Sequence, residues 1–175
     1  MPAAAGAVTS PAVIIGILSD THDHPEAMKA GLKILASAGA AFYIHCGDIG
    51  GPACIDLLAG LPSAFVFGNT DFDRAALARY AQQLQVPCYG NYADLTLDAK
   101  RIAVMHGDDP KLKHRLLVAQ EHDYLCQGHT HLRADERVGK TRLINPGALH
   151  RVSVKTVATL NTASDALAYH VVTTQ

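Results

Sequence analysis

The sequence predicts an α/β fold in which a parallel sheet covered by helices is followed by strands that build a second sheet against it. Two observations lead to this prediction. In the first half, apolar runs of strand length alternate with segments whose apolar residues recur every three to four positions, as in amphipathic helices. After about residue 90 the pattern changes to short strands with one helix among them. The sequence shows no internal repeat and no marked domain boundary, so we expect a single domain over residues 12–175.

The first half predicts three strand–helix pairs. Residues 12–19 are almost continuously apolar, as expected for a strand covered on both faces. The helix that follows begins near Pro25, a residue favoured in the first helical turn, and ends at Gly39. The other predicted elements here are strands at 42–46 and 64–67 and helices at 52–59 and from an Asp73 cap to residue 84.

The second half predicts three hairpins, one helix and one short strand. Tight turns at residues 98–100 and at Gly139-Lys140 join strand-like segments on either side. The predicted hairpins cover 94–106, 132–144 and 152–172, the helix covers 110–120, and the single strand covers 123–126. The edges of these hairpins offer a possible surface for a homo-oligomer.

Composition and charge narrow the classes of function. The formal net charge of −1 argues against a dedicated nucleic-acid surface, which is usually strongly basic, so nucleic acid is not an expected partner. No apolar run approaches the ~20 residues of a membrane span, so no membrane partner is expected either. Residues 1–11 lack the basic and apolar regions of a signal peptide, which predicts a flexible N-terminal tail and a cytoplasmic protein.

Metal-ligand side chains follow five of the predicted strands. In parallel α/β sheets, ligands bind at the carboxyl ends of strands, so these side chains are expected to converge. Carboxylate, amide and imidazole groups suit manganese, which we favour, and also nickel, iron, zinc, cobalt or magnesium. Two such divalent ions would form a clamp for displacement at phosphorus, with a bridging hydroxide as nucleophile. The seven candidate ligands are Asp20, His22, Asp48, Asn69, His106, His129 and His131.

The ordered series Asp-x-His, Gly-Asp, Gly-Asn-x-Asp, His-Gly and Gly-His-x-His resembles the calcineurin-like metallophosphoesterase superfamily. It is most similar to the small single-domain bacterial and archaeal phosphodiesterase branch, from about Ile14 to the Asn145-Pro-Gly147 segment. The resemblance implies a four-layer α/β/β/α sandwich of two mixed sheets flanked by helices. It also implies a dinuclear phosphodiesterase that acts on a small phosphoester.

Residue by residue, the resemblance implies two ions bridged by Asp48, with Asn69 and His129 contacting the substrate. It also implies that Asp48, Asn69 and Asp71 serve catalysis, and that Asp71 orients a neighbouring group. Asp20, His22, Asp48 and His131 would hold one ion, and Asp48, Asn69, His106 and His129 the other.

Two positions depart from the family pattern. Thr70 stands where many members have a histidine thought to protonate the leaving group, and Asp108 replaces another histidine. A threonine hydroxyl is not an acid near neutral pH, so we expect a preference for substrates with good leaving groups. We also expect Thr70→His to raise turnover on poor leaving groups. The alternatives are a phosphomonoesterase or nuclease of the same fold, or a non-catalytic interaction scaffold.

Six histidines remain outside these motifs. His45, inside a strand, is expected to be a hydrogen-bonded core residue. His24 fits a helix entry better than the rim of the site, whereas for His150 a loop position and a place near the site are equally compatible with the sequence. The others are expected at the surface: His114, His122 and His170.

Overall fold

A computed structural model describes residues 13–174 of the chain. The predicted tail at residues 1–11 lies outside the described residues, as do Ala12 and Gln175. No helix in the described part of the chain is long and apolar enough to cross a membrane.

The strands form two five-stranded mixed sheets. The first has the order β10-β9-β1-β2-β3 and the second has the order β4-β5-β6-β8-β7. In the first sheet, β1 to β3 run parallel; in the second, β5, β6 and β8 do. The described strands are β1 (Ile14–Leu18), β2 (Phe42–His45), β3 (Ser63–Phe65), β4 (Tyr92–Leu97), β5 (Lys100–Met105), β6 (Tyr124–Cys126), β7 (Ala134–Val138), β8 (Thr141–Asn145), β9 (Lys155–Asn161) and β10 (Leu167–Val172).

Four helices cover the outer faces of the two sheets. Residues of α1, α2 and α3 pack with outward-facing residues of the first sheet, and Leu116 of α4 packs on Met105 and Leu125 of the second. Side chains from both sheets, such as Ile17 and Val104, form the core between them. The four-layer α/β/β/α prediction is therefore confirmed. The helices are α1 (Pro25–Ser37), α2 (Pro52–Asp56), α3 (Arg74–Gln83) and α4 (Pro110–Ala119).

The structure changes the sequence-based elements in two ways. The last hairpin joins the first sheet, because β9 pairs antiparallel to β1 rather than extending the second sheet. Two predicted strands also begin later than expected, at Ala134 and Lys155. The residues before them form loops instead, and one of these loops donates a backbone hydrogen bond from Leu149 to Asp20 (3.3 Å). Through Leu149, this loop reaches the edge of the sheets where the candidate ligands meet.

Candidate metal centre

Three buried side chains form the floor of the site: Asp20, Asp48 and His106, which are 0%, 3% and 1% exposed. They follow β1, β2 and β5, so parallel strands from both sheets deliver them to one edge. The Nε2 atom of His106 lies 3.3 Å from Asp48 Oδ2 and 4.0 Å from Asp20 Oδ1. One carboxylate or imidazole atom from each lies within 4.8 Å of the others, a spacing that suits one metal ion.

The floor is electrostatically prepared for a cation. Burial raises the pKa of Asp20, while Asp48 keeps a pKa below its usual range because hydrogen bonds from His106 and the Thr70 backbone N–H outweigh burial. Burial lowers the pKa of His106, but the hydrogen bond to Asp48 and the charge of Asp20 raise it overall. Positive charge is therefore favoured at the His106 Nε2 position.

One buried oxygen shows that the residues fit a metal ion. Asp20 Oδ1 accepts no hydrogen bond among the described residues, although His131 Nε2 lies only 3.2 Å away. A buried carboxylate oxygen without a partner is costly unless a cation satisfies it. The orientation of the His106 ring also suits a metal ion, since its Nδ1 lies 2.9 Å from the Cys46 carbonyl oxygen. The Nδ1 proton is donated to that carbonyl, so a metal ion that replaced the Nε2 proton would bind the Nε2 lone pair above the floor.

The rim of the site is formed by four side chains that are more exposed than those of the floor. Two are half-buried, His22 and His131, and two are exposed, Asn69 and His129. His22 Nε2 lies 3.4 Å from His131 Nε2 and 3.6 Å from Asp48 Oδ2. Asn69 Oδ1 lies 3.1 Å from His129 Nδ1 and 3.1 Å from His106 Nε2. The structure thus brings all seven predicted ligands together.

The seven candidate ligands fall into two groups that share Asp48. His22, His131 and Asp20 form one group, and His106, Asn69 and His129 form the other. Asp48 Oδ2 lies between His22 and His106, the position expected of a bridging carboxylate. Asp20 also borders the second group, because its Oδ1 is 4.0 Å from His106 Nε2.

Five of the seven ligand residues have left-handed backbone conformations, which non-glycine residues rarely adopt. Each such residue costs on the order of 1–3 kcal/mol and persists only where surrounding contacts require it. The contacts here include backbone hydrogen bonds from Asp20 to Gly47 (3.0 Å) and from His22 to Asp48 (2.9 Å). The φ angles are 55° at Asp20, 48° at His22, 53° at Asp48, 69° at His129 and 60° at His131.

Two glycines have no side chain where the floor residues need space. Gly47 has φ of 95°, and a Cβ atom there would lie 2.8 Å from the His106 ring. A Cβ atom at Gly68 would overlap the carboxylate of Asp48. Larger residues at either position would displace a floor side chain.

Asp71 is buried and supports the backbone of the site. Its carboxylate accepts hydrogen bonds from the amides of Ile49 (3.3 Å), Gly50 (2.8 Å) and Gly68 (2.8 Å). It therefore ties the segment after Asp48 to the segment before Asn69. The expected orienting function of Asp71 is compatible with this position, and the groups it holds are backbone amides.

Thr70 contacts both the floor and the rim of the site. Its backbone N–H donates to Asp48 Oδ1 (2.9 Å), and its Oγ1 lies 3.3 Å from His22 Nδ1. A proton on His22 Nδ1, donated to Thr70, leaves Nε2 free to face Asp48 and His131. Burial is the main reason that the pKa of His22 is lowered to about 4, so the ring is neutral near pH 7.

Two further residues hold the site loops, and the sequence analysis assigned neither of them a function. Arg74 donates to the carbonyls of Gly68 (2.7 Å) and Asp71 (3.1 Å). Asn145 Nδ2 donates to the Gly128 carbonyl (2.8 Å) and lies 3.1 Å from Thr130 Oγ1. The resemblance to the family includes the Asn145-Pro-Gly147 segment, so the sequence could have indicated Asn145. Nothing in the sequence distinguishes Arg74 from an ordinary surface arginine.

The remaining histidines divide between confirmed and wrong predictions. His45 is a core residue as expected, fully buried and hydrogen-bonded to Thr21. His122 was expected at the surface but is 3% exposed, and its Nε2 lies 3.3 Å from Asp94 Oδ1 and 3.2 Å from the Tyr92 hydroxyl. His24 stands at the N-cap of α1, yet its ring also stacks on His150 beside the rim.

Comparisons with known proteins agree with this geometry. Residues 13–165 match the calcineurin-like phosphoesterase superfamily domain. Phosphodiesterase MJ0936 of Methanocaldococcus jannaschii is 26% identical over 153 residues, which cover 85% of this chain and 92% of that protein. YsnB of Bacillus subtilis, whose name places it among the metallophosphoesterases, is 30% identical over 148 residues, which cover 79% of this chain and 76% of that protein.

Solved structures share the fold. An archaeal phosphodiesterase superposes with a TM-score of 0.84 at 24% identity, covering 91% of this chain and all of that one. Vps29 of Entamoeba histolytica in complex with Zn²⁺ gives a TM-score of 0.61 at 16% identity, covering 91% of this chain and 98% of that one. The match over nearly the whole described chain, with the ligand motifs in order, shows that the chain belongs to the calcineurin-like phosphoesterase superfamily.

Proposed function

We propose that this protein is a phosphodiesterase that uses two divalent metal ions, with manganese favoured, held by the floor and rim residues. The observation that carries the proposal is the position of Asp48 Oδ2, 3.6 Å from His22 Nε2 and 3.3 Å from His106 Nε2. One carboxylate thereby serves both groups of ligands. When bound, such ions act as Lewis acids and lower the pKa of water, which makes a nucleophile available near neutral pH.

The side chains of the site would orient the substrate. Asn69 is exposed, and its Oδ1 faces His106 and His129. Its Nδ2 donates no hydrogen bond among residues 13–174, which leaves it able to donate to a phosphoryl oxygen. His129 is also exposed and lies beside it, so these two rim residues are our proposed substrate contacts.

Leaving-group protonation is not assigned to Thr70, because its hydroxyl is engaged with His22. Without an acid at this position, departure of the leaving group would depend on its own stability. General acid catalysis typically contributes about 10²- to 10⁴-fold. We therefore expect aryl and other activated diesters to be hydrolysed faster than alkyl esters.

The test combines metal analysis of the purified protein with a panel of aryl and alkyl phosphodiesters and monoesters. The proposal expects about two ions per chain and the highest kcat/KM on aryl diesters. His131→Ala should lose activity and part of the bound metal, because its Nε2 lies 3.2 Å from Asp20 Oδ1. The matched control is His114→Ala, since His114 is exposed on α4 and outside the site.

Other outcomes would favour the alternatives. Higher kcat/KM on monoesters would indicate a phosphomonoesterase, and cleavage of oligonucleotides would indicate a nuclease. Metal-loaded protein that hydrolyses none of these esters would contradict the enzyme proposal. A chelator-insensitive stoichiometric protein partner would then support an interaction scaffold.

A further inference from the structure

A group of basic side chains lies next to the rim, outside the seven ligands. We define this basic edge as His24, His150 and Arg151. The rings of His24 and His150 stack, with centroids 3.7 Å apart and an interplanar angle of 22°. The centroid of His150 is also 5.6 Å from that of the rim residue His22. The edge is therefore continuous with the metal centre.

Backbone contacts hold this edge in place. Leu149 donates to the Asp20 carbonyl (3.3 Å), so the segment that carries His150 and Arg151 is attached to the floor. The Nδ1 atom of His24 lies 2.7 Å from the His22 carbonyl oxygen. Arg151 adopts a left-handed conformation with φ of 55°, although glycine or asparagine would do so more readily.

The positive charge of the edge is not neutralised within the described chain. No carboxylate among residues 13–174 lies within ion-pairing distance of the exposed Arg151 guanidinium. Burial lowers the pKa of His150, and the positive charges of His24, Arg151 and Lys155 lower it further. The nearby Asp23 carboxylate fills the space beside Gly51 at the start of α2.

We propose that His24, His150 and Arg151 form an anion subsite that binds a second negatively charged group of the substrate, a phosphate or a carboxylate, beyond the scissile phosphoryl. This inference rests on the proposed function, and it narrows the substrate class to phosphodiesters with an anionic ester arm. The subsite requires no change of protonation. A guanidinium is always charged, and a neutral His150 still offers one N–H donor. His24 donates its Nδ1–H to the His22 carbonyl, so it supports the subsite by stacking on His150.

The test uses p-nitrophenyl diesters whose second arm is propyl, 2-carboxyethyl or 2-(phosphonooxy)ethyl. The measured quantity is the ratio of kcat/KM for each anionic arm to that for the propyl arm, in metal-loaded protein at low salt. The wild type should prefer the anionic arms. Arg151→Asn, which suits the left-handed backbone, should lower the ratio about fivefold, as for a partly exposed charge pair. Comparison of the two anionic arms shows whether phosphate or carboxylate is preferred.

Two variants separate charge at the edge from charge elsewhere. Arg151→Lys should keep most of the preference, because it keeps the positive charge. Lys140→Ala removes a positive charge at the β7–β8 turn, at the other end of β8 from Asn145, and should leave the ratio unchanged. An unchanged ratio in Arg151→Asn, or an equal loss in Lys140→Ala, would overturn the subsite.

A binding measurement keeps this test independent of turnover. Calorimetric titration compares 3-phosphonopropionate with propylphosphonate, which lacks the second charge. The wild type should bind 3-phosphonopropionate more tightly, and Arg151→Asn should lose about fivefold of that difference. If no ester is hydrolysed but this difference is present, the proposed function fails and the subsite stands. If the esters are hydrolysed and the difference is absent, only the subsite fails.

Discussion

The floor and the rim of the candidate metal centre are built differently, although both consist of candidate ligands that follow strands. The floor residues Asp20, Asp48 and His106 are at most 3% exposed and are fixed by backbone groups from neighbouring strand ends. In the rim, by contrast, Asn69 and His129 are exposed and contact each other through side-chain atoms. The floor is preorganised by the fold, whereas the rim depends on loops that substrate can reach.

This difference separates two requirements of a metal hydrolase. Buried ligands in a low-dielectric floor hold charge strongly, because little water competes with them. Exposed ligands leave room for a substrate phosphoryl group. Substitutions in the floor should therefore affect metal binding and chemistry together, while those that loosen the rim should act mainly on turnover.

The largest effect is expected from Asp48→Asn in the floor. The substitution keeps the shape of the side chain but removes the charge that lies between His22 and His106. Loss of an outer partner of a metal ligand typically costs 10- to 100-fold, so loss of the proposed bridging ligand should cost more than about 100-fold in kcat/KM. Metal content, measured on the same samples, should fall as well.

The control for this substitution is Glu136→Gln, which removes a negative charge from the exposed strand β7. It should keep wild-type metal content and activity. Full activity in Asp48→Asn would show that the floor does not bridge two ions, and the distinction between floor and rim would fail.

A smaller effect is expected from Asn145→Ala, which releases the rim loop that carries His129 and His131. Asn145 donates to the Gly128 carbonyl, and its Oδ1 accepts from the Gly147 amide. We expect a loss of about 10- to 100-fold in kcat/KM. The free energy of unfolding should fall by about 1–3 kcal/mol, because buried partners lose their hydrogen bonds.

Denaturant unfolding and steady-state kinetics check both values for Asn145→Ala. Most of the metal content should remain, because the floor is intact. A variant that loses the metal as completely as Asp48→Asn would show that rim and floor are one cooperative unit.

Thr70→Val tests a single contact between floor and rim. It removes the hydroxyl beside His22 Nδ1 but keeps the backbone N–H that donates to Asp48. We expect a loss of about tenfold in kcat/KM on an aryl diester, the lower end for an outer partner of a ligand. Thr70→Ser keeps the hydroxyl and should retain activity, and equal activity in the two variants would contradict the contact.

Thr70→His also tests the expectation drawn from the sequence. A histidine there would add an acid but replace the hydroxyl that supports His22. The gain should therefore appear on alkyl esters with poor leaving groups and not on aryl esters. Kinetics on the two classes of ester would show whether the gain is selective.

The smallest effect concerns stability beneath the floor. Burial lowers the pKa of His45 to about 3, compared with about 6.5 in an unfolded chain. Between these values the unfolded state binds a proton that the folded state does not bind, so stability falls as the pH falls from 6.5 towards 3. The contribution is on the order of 1 kcal/mol per pH unit.

Denaturant unfolding of metal-free protein at pH 7 and pH 5 checks this prediction. His45→Gln should show a smaller drop in the free energy of unfolding than the wild type, because the titrating group is gone. The exposed control His114→Gln should keep the wild-type drop. The same drop in His45→Gln as in the wild type would show that His45 does not carry the pH dependence.

The candidate ligand residues could be predicted from the sequence because each follows an apolar run. Asp20 and His22 come two residues apart after β1, and His129 and His131 do so after β6. Their side chains meet because parallel strands end at a common edge. Helix α3 was predictable for a similar local reason, since the Asp73 side chain accepts a hydrogen bond from the Ala76 amide at its start.

Other features depend on contacts between distant segments, which local patterns do not encode. His122 reads as a surface residue until Tyr92 and Asp94 of β4 cover it. Nothing in the sequence of the last hairpin indicates which strand it pairs with, and only the tertiary structure shows that β9 pairs with β1.

The sequence by itself determined which residues are candidate metal ligands and in what order they reach the edge of the sheets, because strand periodicity and ligand chemistry are local properties. Only the tertiary structure decided which of them are buried in the floor and which are open in the rim. It also placed His150 beside His22, although more than a hundred residues separate them along the chain. Burial and long-range packing set these differences, and neither is a property of a short segment.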